Sequence, residues 1–387
     1  MKLLSVFRKS LKEQIRDYWT LVLVLSIAPF FVILYWLILG GGSTTYGIAI
    51  LNKDQGIHQD DVKRNFGKEL AVSIKSITYI DKTPILKISD IKNQEEAETK
   101  IKNRSVSLLM IIPEDFSQVI NSYNNQEDHA GSHITIVGDA SNAQYAVAVA
   151  ITSAALDHFT QQVFNEKHPV QITEKFLGGS ASRTEFENYV PGLLLIAIMM
   201  LIFPTAMMIT REVEAGTLRR LKLTKMTSFD FLSGISLLQI LTGIVAVILT
   251  FLTSLALGFS SQGPLSLAIL IGIITSLSVV GVGLIVACFS KSAMEAFVIG
   301  NFPLMLFMFF SGAVFPLPKV SLFTIAGHSI GLYDFLPPTH AIVALNKVLS
   351  LGSGLGDIAY ELTFMVALSA IFFVTGVLLF KRKHLSA

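Results

Sequence analysis

The segment 211–225 carries charged residues at a spacing that could bind a partner. Its sequence is Arg-Glu-Val-Glu-Ala-Gly-Thr-Leu-Arg-Arg-Leu-Lys-Leu-Thr-Lys. At helical spacing one stripe is uncharged and charged side chains cover the remainder, which predicts an amphipathic helix. Such a helix can lie on an anionic lipid surface. Alternatively, Glu212 and Glu214 suit a helix N-terminus and can pair with basic residues of a protein partner. The residues alone leave both interpretations open.

Motifs for nucleotide or metal chemistry do not accompany this segment. The nearest approach to a phosphate-binding loop, residues 258–263, is followed by Pro264 instead of the lysine that contacts a phosphate. His129 and His133 are four residues apart, a spacing that would suit a metal ion if they were on a helix, but the residues between them are typical of a loop. We therefore predict no catalytic residue, no metal site and no cofactor bound by this chain.

The composition is that of a membrane protein. Of the 387 residues, 52% are hydrophobic and 15% are charged, whereas water-soluble proteins carry about 25% charged residues. The formal net charge of +2 gives no indication of a nucleic-acid partner. A helix needs roughly 20 apolar residues to cross a lipid bilayer. The predicted spans 1 to 6 are Thr20–Leu39, Pro191–Thr210, Phe229–Phe259, Leu265–Phe289, Ala293–Phe315 and Ile358–Phe380.

The positions of lysine and arginine predict how these spans are oriented. Basic residues occupy the N-terminal segment, the loops after spans 2 and 4, and the segment after span 6. These four segments share one side in a six-span alternation, and basic segments favour the cytoplasm. We therefore expect both termini in the cytoplasm and residues 43–189 outside the cell. The chain accordingly divides into 1–42 with span 1, the inserted segment 43–189, and 190–387 with spans 2 to 6.

The inserted segment 43–189 is predicted to be a folded α/β domain. Strand patterns occur at Tyr46–Leu51, Val72–Ile80 and Ser105–Ile112. Helix patterns lie between the strands, and a long alanine-rich stretch, Ser141–Lys167, leads back towards span 2. This alternation predicts a small mixed sheet with helices packed on it. The predicted fold class is thus an α-helical polytopic membrane protein of six spans with an inserted extracellular α/β domain.

Residues 316–349, between spans 5 and 6, are apolar but are interrupted by glycines and prolines. Gly327, Gly331, Pro337 and Pro338 break any continuous helix there. Lipid does not tolerate exposed irregular backbone. We therefore predict short helices at the membrane surface, or a re-entrant segment, in place of a seventh span.

The predicted spans also lack a buried ionisable relay. Asp230, Glu295 and Glu361 lie near the ends of spans 3, 5 and 6, where interfacial water lowers the cost of a charge. A proton- or ion-coupled carrier needs such groups in mid-membrane. With neither a relay nor a nucleotide motif, the energy for any transport must come from another polypeptide.

Four ordered motifs carry a family resemblance. They are Tyr189-Val-Pro-Gly192, Arg211-Glu-x-Glu-x-Gly-Thr217, Ser311-Gly-x-x-Phe-Pro316 and Leu336-Pro-Pro-Thr-His340. With the single large domain between spans 1 and 2, they resemble the membrane subunits of type-2 ATP-binding-cassette (ABC) exporters over essentially the whole chain. The resemblance implies a coupling helix after span 2, seated in a cleft of a separate ATPase subunit. The coupling residues implied in this way are Arg211, Glu212, Glu214, Gly216, Thr217 and Arg219.

The same resemblance implies an assembly and a cargo path. Two membrane subunits, identical or different, would work in the lipid bilayer with two ATPase subunits that bind ATP and Mg²⁺. Spans 2 and 5 are expected to line the interface, where flexible thioethers and aromatic rings suit a lipid-like compound, a drug or a peptide. Sodium-exporting members of the family make that ion an alternative cargo. The predicted path residues are Met199, Phe203, Met207, Phe302, Met305 and Phe309, with helix packing or lipid contact as the alternative for each.

A surface receptor or scaffold is the second hypothesis for function. In that hypothesis the domain 43–189 binds an envelope component or a partner, and the spans only anchor it. One span would suffice as an anchor, and a receptor has no need of a charged cytoplasmic helix, so the exporter hypothesis is favoured. A bacterial inner or plasma membrane is the expected location, because the external domain contains no cysteine.

Overall fold

A computed structural model gives the fold of residues 2–39, 45–59, 62–79, 82–89, 91, 93–103, 105–124, 131–139, 142–164, 183–217, 226–315, 321–325 and 328–385. The chain forms two compact units. One unit combines Met1–Gly41 with Phe176–Ala387, and the other is Gly42–Lys175. The inserted unit therefore ends before residue 189, the boundary expected from the sequence. The helix of span 2 begins at Glu185, ahead of the uncharged stretch that marks the span in the sequence.

Six helices of the described residues are long and apolar enough to cross a membrane. They are Tyr18–Leu39, Glu185–Glu214, Ser228–Ala256, Leu265–Phe289, Ala293–Phe310 and Gly356–His384, and we keep the names spans 1 to 6 for them. They match the six predicted spans in order and confirm the polytopic helical fold. Span 2 consists of two helical pieces, Glu185–Met199 and Ile202–Glu214. Span 5 ends at Phe310, earlier than predicted, and the left-handed Gly312 (φ 84°) follows it.

Span 2 occupies the interior of the first unit. In the most apolar 18-residue stretch of span 2, 83% of the residues are buried, whereas the corresponding shares are 17% for span 1 and 22% for span 5. Leu194 and Met199 of span 2 share one core with Val247 of span 3 and Ile271 of span 4. Spans 1 and 5 therefore present most of their apolar surface outwards, to lipid or to another protein chain.

A helix at the N-terminus, Lys2–Arg16, precedes span 1 and packs on span 3. Val6, Ser10 and Gln14, one helical turn apart, are its buried residues. Span 3 offers Gly234 at the contact, where an added Cβ atom would lie 2.7 Å from Cβ of Val6. The two helices can approach closely because this position has no side chain.

The segment between spans 5 and 6 differs from the short helices predicted for residues 316–349. Strands Ser321–Ile325 and His328–Gly331 form an antiparallel hairpin, in which β-branched and aromatic residues favour extended backbone. A short 3-10 turn follows at Leu332–Phe335, and one longer helix, Pro337–Leu351, then begins with two prolines in its first turn. Residues 316–320 and 326–327 of the predicted segment lie outside the described residues.

Arg183 joins three parts of the first unit just before span 2. Its guanidinium donates to the main-chain oxygens of Leu349 (2.6 Å), Ser260 (3.1 Å) and Glu187 (3.3 Å). Leu349 is near the end of the helix Pro337–Leu351, where carbonyl groups lack helical partners. The planar fork of arginine can reach several acceptors at once, which lysine cannot do.

We therefore expect Arg183→Lys to destabilise the full chain nearly as much as Arg183→Ala, by about 2 kcal/mol. Thermal unfolding of the detergent-solubilised protein measures the effect. Arg64→Lys is the matched control, because Arg64 pairs with Glu69 on the surface and both side chains are about half exposed. Equal shifts for the Arg183 and Arg64 variants would contradict a clamping role for Arg183.

The unit Gly42–Lys175 is an α/β fold, as predicted. Its strands are Tyr46–Asn52 (β1), Ile57–Gln59 (β2), Val62–Arg64 (β3), Leu86–Ser89 (β4), Leu108–Ile112 (β5) and Thr135–Gly138 (β6). The main sheet has the order β4-β1-β5-β6, in which β1 pairs in parallel with β4 and β5, and β6 is antiparallel to β5. Strands β2 and β3 form a separate hairpin. The helices are Phe66–Lys75, Gln94–Lys102, Phe116–Asn124 and Ala143–Phe164.

The strand predicted at Val72–Ile80 is wrong, because the helix Phe66–Lys75 occupies its first half. Phe66, Leu70 and Ile74 recur at helical spacing and are all buried. The side chain of Asn65 accepts from the main chain of Lys68 and caps the helix. Capping and the buried apolar stripe outweigh the alternating pattern of residues 72–80.

Asp54 holds two helices of this unit together. Its buried carboxylate accepts from the main-chain N–H groups of Gly56 (3.1 Å), Gly67 (3.0 Å) and Ser117 (3.1 Å), and from the Ser117 hydroxyl at 2.6 Å. Gly67 and Ser117 each lie in the first turn of a helix, where a carboxylate is favoured. Burial raises the pKa of Asp54, but these hydrogen bonds outweigh it and lower the pKa below its usual value.

Candidate functional site

The predicted coupling residues begin inside span 2. Its helix Ile202–Glu214 includes Arg211, and the left-handed Gly216 (φ 66°) follows the helix end. A glycine in this conformation typically terminates a helix. An amphipathic helix therefore does not begin at Arg211 as predicted, and residues 211–214 are the last turn of span 2. Arg219 and the rest of 218–225 lie outside the described residues.

Two ion pairs join this end of span 2 to the N-terminal segment. The Lys9 ammonium lies 2.5 Å from the Glu212 carboxylate, and the Arg211 guanidinium lies 2.8 Å from the Asp17 carboxylate. The Thr217 hydroxyl hydrogen-bonds to Glu212, both to its carboxylate and to its main-chain oxygen. We call Lys9, Asp17, Arg211, Glu212 and Thr217 the N-terminal joint.

The charges of the joint stabilise one another. Burial lowers the pKa of Lys9, but the hydrogen bond and the charge of Glu212, helped by Glu13, raise it overall above its usual value. The hydrogen bond from Arg211 lowers the pKa of Asp17, although burial opposes this. Lys9 and Asp17 therefore stay charged at neutral pH.

The joint gives Glu212 a basic partner within the chain itself. The sequence suggested that Glu212 pairs with a basic residue of a partner protein, but the residue is only 9% exposed and already pairs with Lys9. Glu214 is exposed, and its carboxylate accepts from the main-chain N–H of Ala293 (3.3 Å) at the start of span 5. Of the two acids, only Glu214 is accessible, and it links the ends of spans 2 and 5.

A cavity of about 430 Å³ lies between the N-terminal helix and the adjoining ends of spans 1 and 2. Its lining consists of Lys9, Glu13, Gln14, Asp17, Thr20, Leu21, Val24, Pro204, Met207, Met208, Arg211, Glu212, Ala215 and Thr217. A second, apolar groove of about 530 Å³ is lined by Trp19, Thr20, Val22, Leu23, Val24, Ser26, Ile27, Met200, Phe203, Pro204, Met207 and Phe297. The two share four lining residues and are therefore adjacent. Within the described residues no group of three or more His, Cys, Asp or Glu side chains is placed to hold a metal ion.

Comparison with known proteins decides the family. The sequence model of the family described as ABC-2 family transporter protein matches residues 18–378. The chain belongs to this family. Its match runs from the start of span 1 nearly to the end of span 6, so it includes Arg211, Glu212 and Thr217 of the joint but begins just after Lys9 and Asp17.

A curated relative of this ABC-2 transporter is YbhR of Escherichia coli (strain K12), named a probable multidrug ABC transporter permease. It is 22% identical over 325 residues, which cover 82% of this chain and 83% of the relative. The same permease from a second Escherichia coli strain matches with the same identity and coverage. The chain is thus an ABC-2 transport permease, a multi-pass membrane subunit and not itself an enzyme.

The six predicted path residues of the permease do not meet at one place in the chain. Met199 is fully buried inside the first unit. Phe203 packs on Phe297 of span 5 with ring centroids 4.9 Å apart, and Met207 lines both the cavity and the groove. The remaining three lie on the exposed face of span 5: Phe302, Met305 and Phe309. Met199 therefore belongs to the core, and the other five divide between the groove and the outer face.

Sequence reasoning missed the N-terminal helix of the permease and its contacts. Lys9 and Asp17 lie in the N-terminal segment that was considered only for its basic charge, and both pair with the end of span 2. A signal was present, since Val6, Ser10 and Gln14 recur every four residues between basic ones. The partners of Lys9 and Asp17 could not be read in this way, because Glu212 and Arg211 are about two hundred residues away.

Proposed function

We propose that this permease is the membrane subunit of an ATP-driven exporter, energised by a separate ATPase that docks beside the end of span 2. ATP and Mg²⁺ would bind to the ATPase. The N-terminal joint is the observation that carries the proposal. It ties the last turn of span 2 to the helix that leads into span 1, directly before Gly216. A force applied to the chain after Thr217 would therefore move spans 1 and 2 together.

Charge and exposure support the proposed orientation and assembly. Basic residues near the joint favour the cytoplasm, which supports a cytoplasmic location for both termini and an extracytoplasmic location for the unit Gly42–Lys175. The exposed face of span 5, with Phe302, Met305 and Phe309, supports contact with a second permease subunit and a path between the two. A hydrophobic or amphiphilic cargo suits these side chains, and the name of the Escherichia coli relative favours drug-like compounds over sodium.

Glu214→Arg tests the docking of the ATPase. Glu214 is exposed beside Gly216, so reversal of its charge should repel a basic surface that the wild type attracts. We expect about tenfold weaker binding of the ABC ATPase of the source organism to the full chain in lipid nanodiscs, with ATP hydrolysis reduced in parallel. Glu214→Gln is the matched control, since it keeps an acceptor for Ala293 and should have a smaller effect.

Two results would refute the proposal. One is the failure of any ABC ATPase of the source organism to bind the wild-type chain in the presence of nucleotide. The other is labelling of Thr217→Cys from outside the cell by a membrane-impermeant thiol reagent, in a Cys288→Ala background where no other cysteine exists. The proposal predicts that this cysteine resists the reagent on intact cells and reacts after the cells are opened.

A further inference from the structure

We propose that the cavity beside the N-terminal joint binds amphipathic ammonium ions, molecules with a protonated amine on an apolar body. The ammonium group would occupy the polar cavity, and the apolar body would extend into the adjoining groove along span 1. Thr20, Val24, Pro204 and Met207 line both spaces, so one molecule can reach both. This inference rests on the proposed export function only in naming a class of cargo, because binding itself requires no ATPase.

Gln14 provides the first argument, a buried hydrogen-bond acceptor at the cavity. Its side-chain nitrogen donates to the Thr242 hydroxyl at 3.1 Å, and that hydroxyl donates to the main-chain oxygen of Leu238 at 3.0 Å. The single hydroxyl proton of Thr242 is thereby used, which fixes the orientation of the Gln14 amide. The Gln14 carbonyl oxygen is buried and has no hydrogen-bond partner among the described residues. A buried acceptor of this kind favours a ligand that donates a hydrogen bond.

The charges of the lining provide the second argument. Among the residues that the structure describes, five charged ones line the cavity: Lys9, Glu13, Asp17, Arg211 and Glu212. Three are acidic and two are basic, and each basic group already pairs with one carboxylate. The remaining carboxylate, Glu13, lies 3.5 Å from the same Lys9 ammonium that Glu212 contacts. A cation therefore restores neutrality, whereas an anionic headgroup would add to the excess negative charge.

The groove provides the third argument, because its chemistry suits the apolar part of such a ligand. Trp19 and Leu23 of span 1 form one wall and are largely exposed. Phe203 and Phe297 form the opposite side, with Met207 at the junction with the cavity. Aromatic rings and a flexible thioether can adapt to different apolar bodies. The polar and apolar parts of the site thus match the two ends of one amphiphile.

The two tryptophans of the chain, Trp19 and Trp36, allow a direct test. Trp36→Phe leaves Trp19 in the groove as the only indole, and Trp19→Phe leaves Trp36, towards the other end of span 1, as the matched control. The probes are 12-bromododecylammonium, its trimethylammonium analogue and 12-bromododecyl sulfate, whose bromine quenches nearby indole fluorescence. Each is titrated into the full-length variants in lipid nanodiscs.

We expect the ammonium probe to quench Trp19 saturably. The trimethyl analogue should bind more weakly, because it has no N–H group to donate a hydrogen bond to Gln14. The sulfate should give no saturable quenching. Gln14→Leu should weaken binding of the ammonium about tenfold. It should leave the trimethyl analogue nearly unchanged. Glu13→Gln, at an exposed position, should weaken both cations alike.

The proposal would be overturned by quenching that does not saturate, is equal for the three probes and is unaffected by Gln14→Leu and Glu13→Gln. Such quenching would show only that the probes partition into lipid beside span 1. Gln14→Glu keeps the test informative if Gln14→Leu fails to fold, because added negative charge should tighten the ammonium. The assay contains no ATPase. Its failure therefore leaves the exporter proposal standing, and absence of an ATPase partner would leave the binding result intact.

Discussion

Replacement of Glu212 by arginine is expected to abolish transport and to lower the free energy of unfolding by about 2–3 kcal/mol. The new guanidinium would face Lys9, which now lies 2.5 Å from the Glu212 carboxylate. Loss of one partner of a buried ion pair costs about 3–5 kcal/mol. The estimate is lower here because the side chain of Lys9 is 51% exposed, whereas that of Glu212 is 11% exposed. Thermal unfolding of the solubilised chain and a transport assay measure the two effects.

The charge-reversed double variant separates an internal role from contact with a partner. Lys9→Glu combined with Glu212→Arg restores an ion pair of opposite polarity and should recover most of the stability and transport. If Glu212 instead contacted an ATPase, Lys9→Glu could not rescue transport, and a folded but inactive double variant would contradict a purely internal role for Glu212. Glu13→Arg is the control, because this acid also lies near Lys9 but is half exposed and should cost less than about 1 kcal/mol.

The spans were predictable because lipid imposes a simple local requirement. A run of roughly 20 apolar residues has few alternatives in a folded chain, and each predicted span overlaps the observed helix. The end of span 2 was not predictable, since Arg211 and Glu212 looked like the start of a new element once the apolar run had ended. In the structure they continue the same helix, because their charges are neutralised by Asp17 and Lys9. Local periodicity carries no information about such distant partners.

The errors in the other segments have a similar cause. Both predictions rested on short stretches of sequence: the alternating residues from Val72 onwards, and the glycines and prolines of 316–349. In the first case the stripe Phe66, Leu70 and Ile74 lies partly ahead of the window and buries itself against the sheet. In the second, cross-strand pairing of Ser321–Ile325 with His328–Gly331 competes with helix formation. Packing decides between two patterns that are each locally acceptable.

Asp54→Asn is expected to destabilise the unit Gly42–Lys175 by about 3–4 kcal/mol. An asparagine amide keeps one acceptor oxygen and turns an NH₂ group towards N–H donors that the carboxylate now satisfies, at Gly67 or at Ser117. The first turns of both helices should therefore open more often. Hydrogen exchange of the full chain at neutral pH, followed in peptides from Phe66–Lys75 and Phe116–Asn124, localises the effect. Asp115→Asn, at an exposed neighbouring acid, should leave both peptides protected.

The pH dependence gives Asp54 a second, independent signature. Its folded pKa is lowered below the value of about 3.9 for an unfolded aspartate. Ionised Asp54 thus adds stability throughout the range above pH 4, and this contribution is lost as the pH falls through the folded pKa. The difference in unfolding temperature between wild type and Asp54→Asn should be constant from pH 7 to about pH 5 and should shrink below pH 4. A difference that stays constant down to pH 3 would show that Asp54 acts through its shape, with its charge contributing nothing.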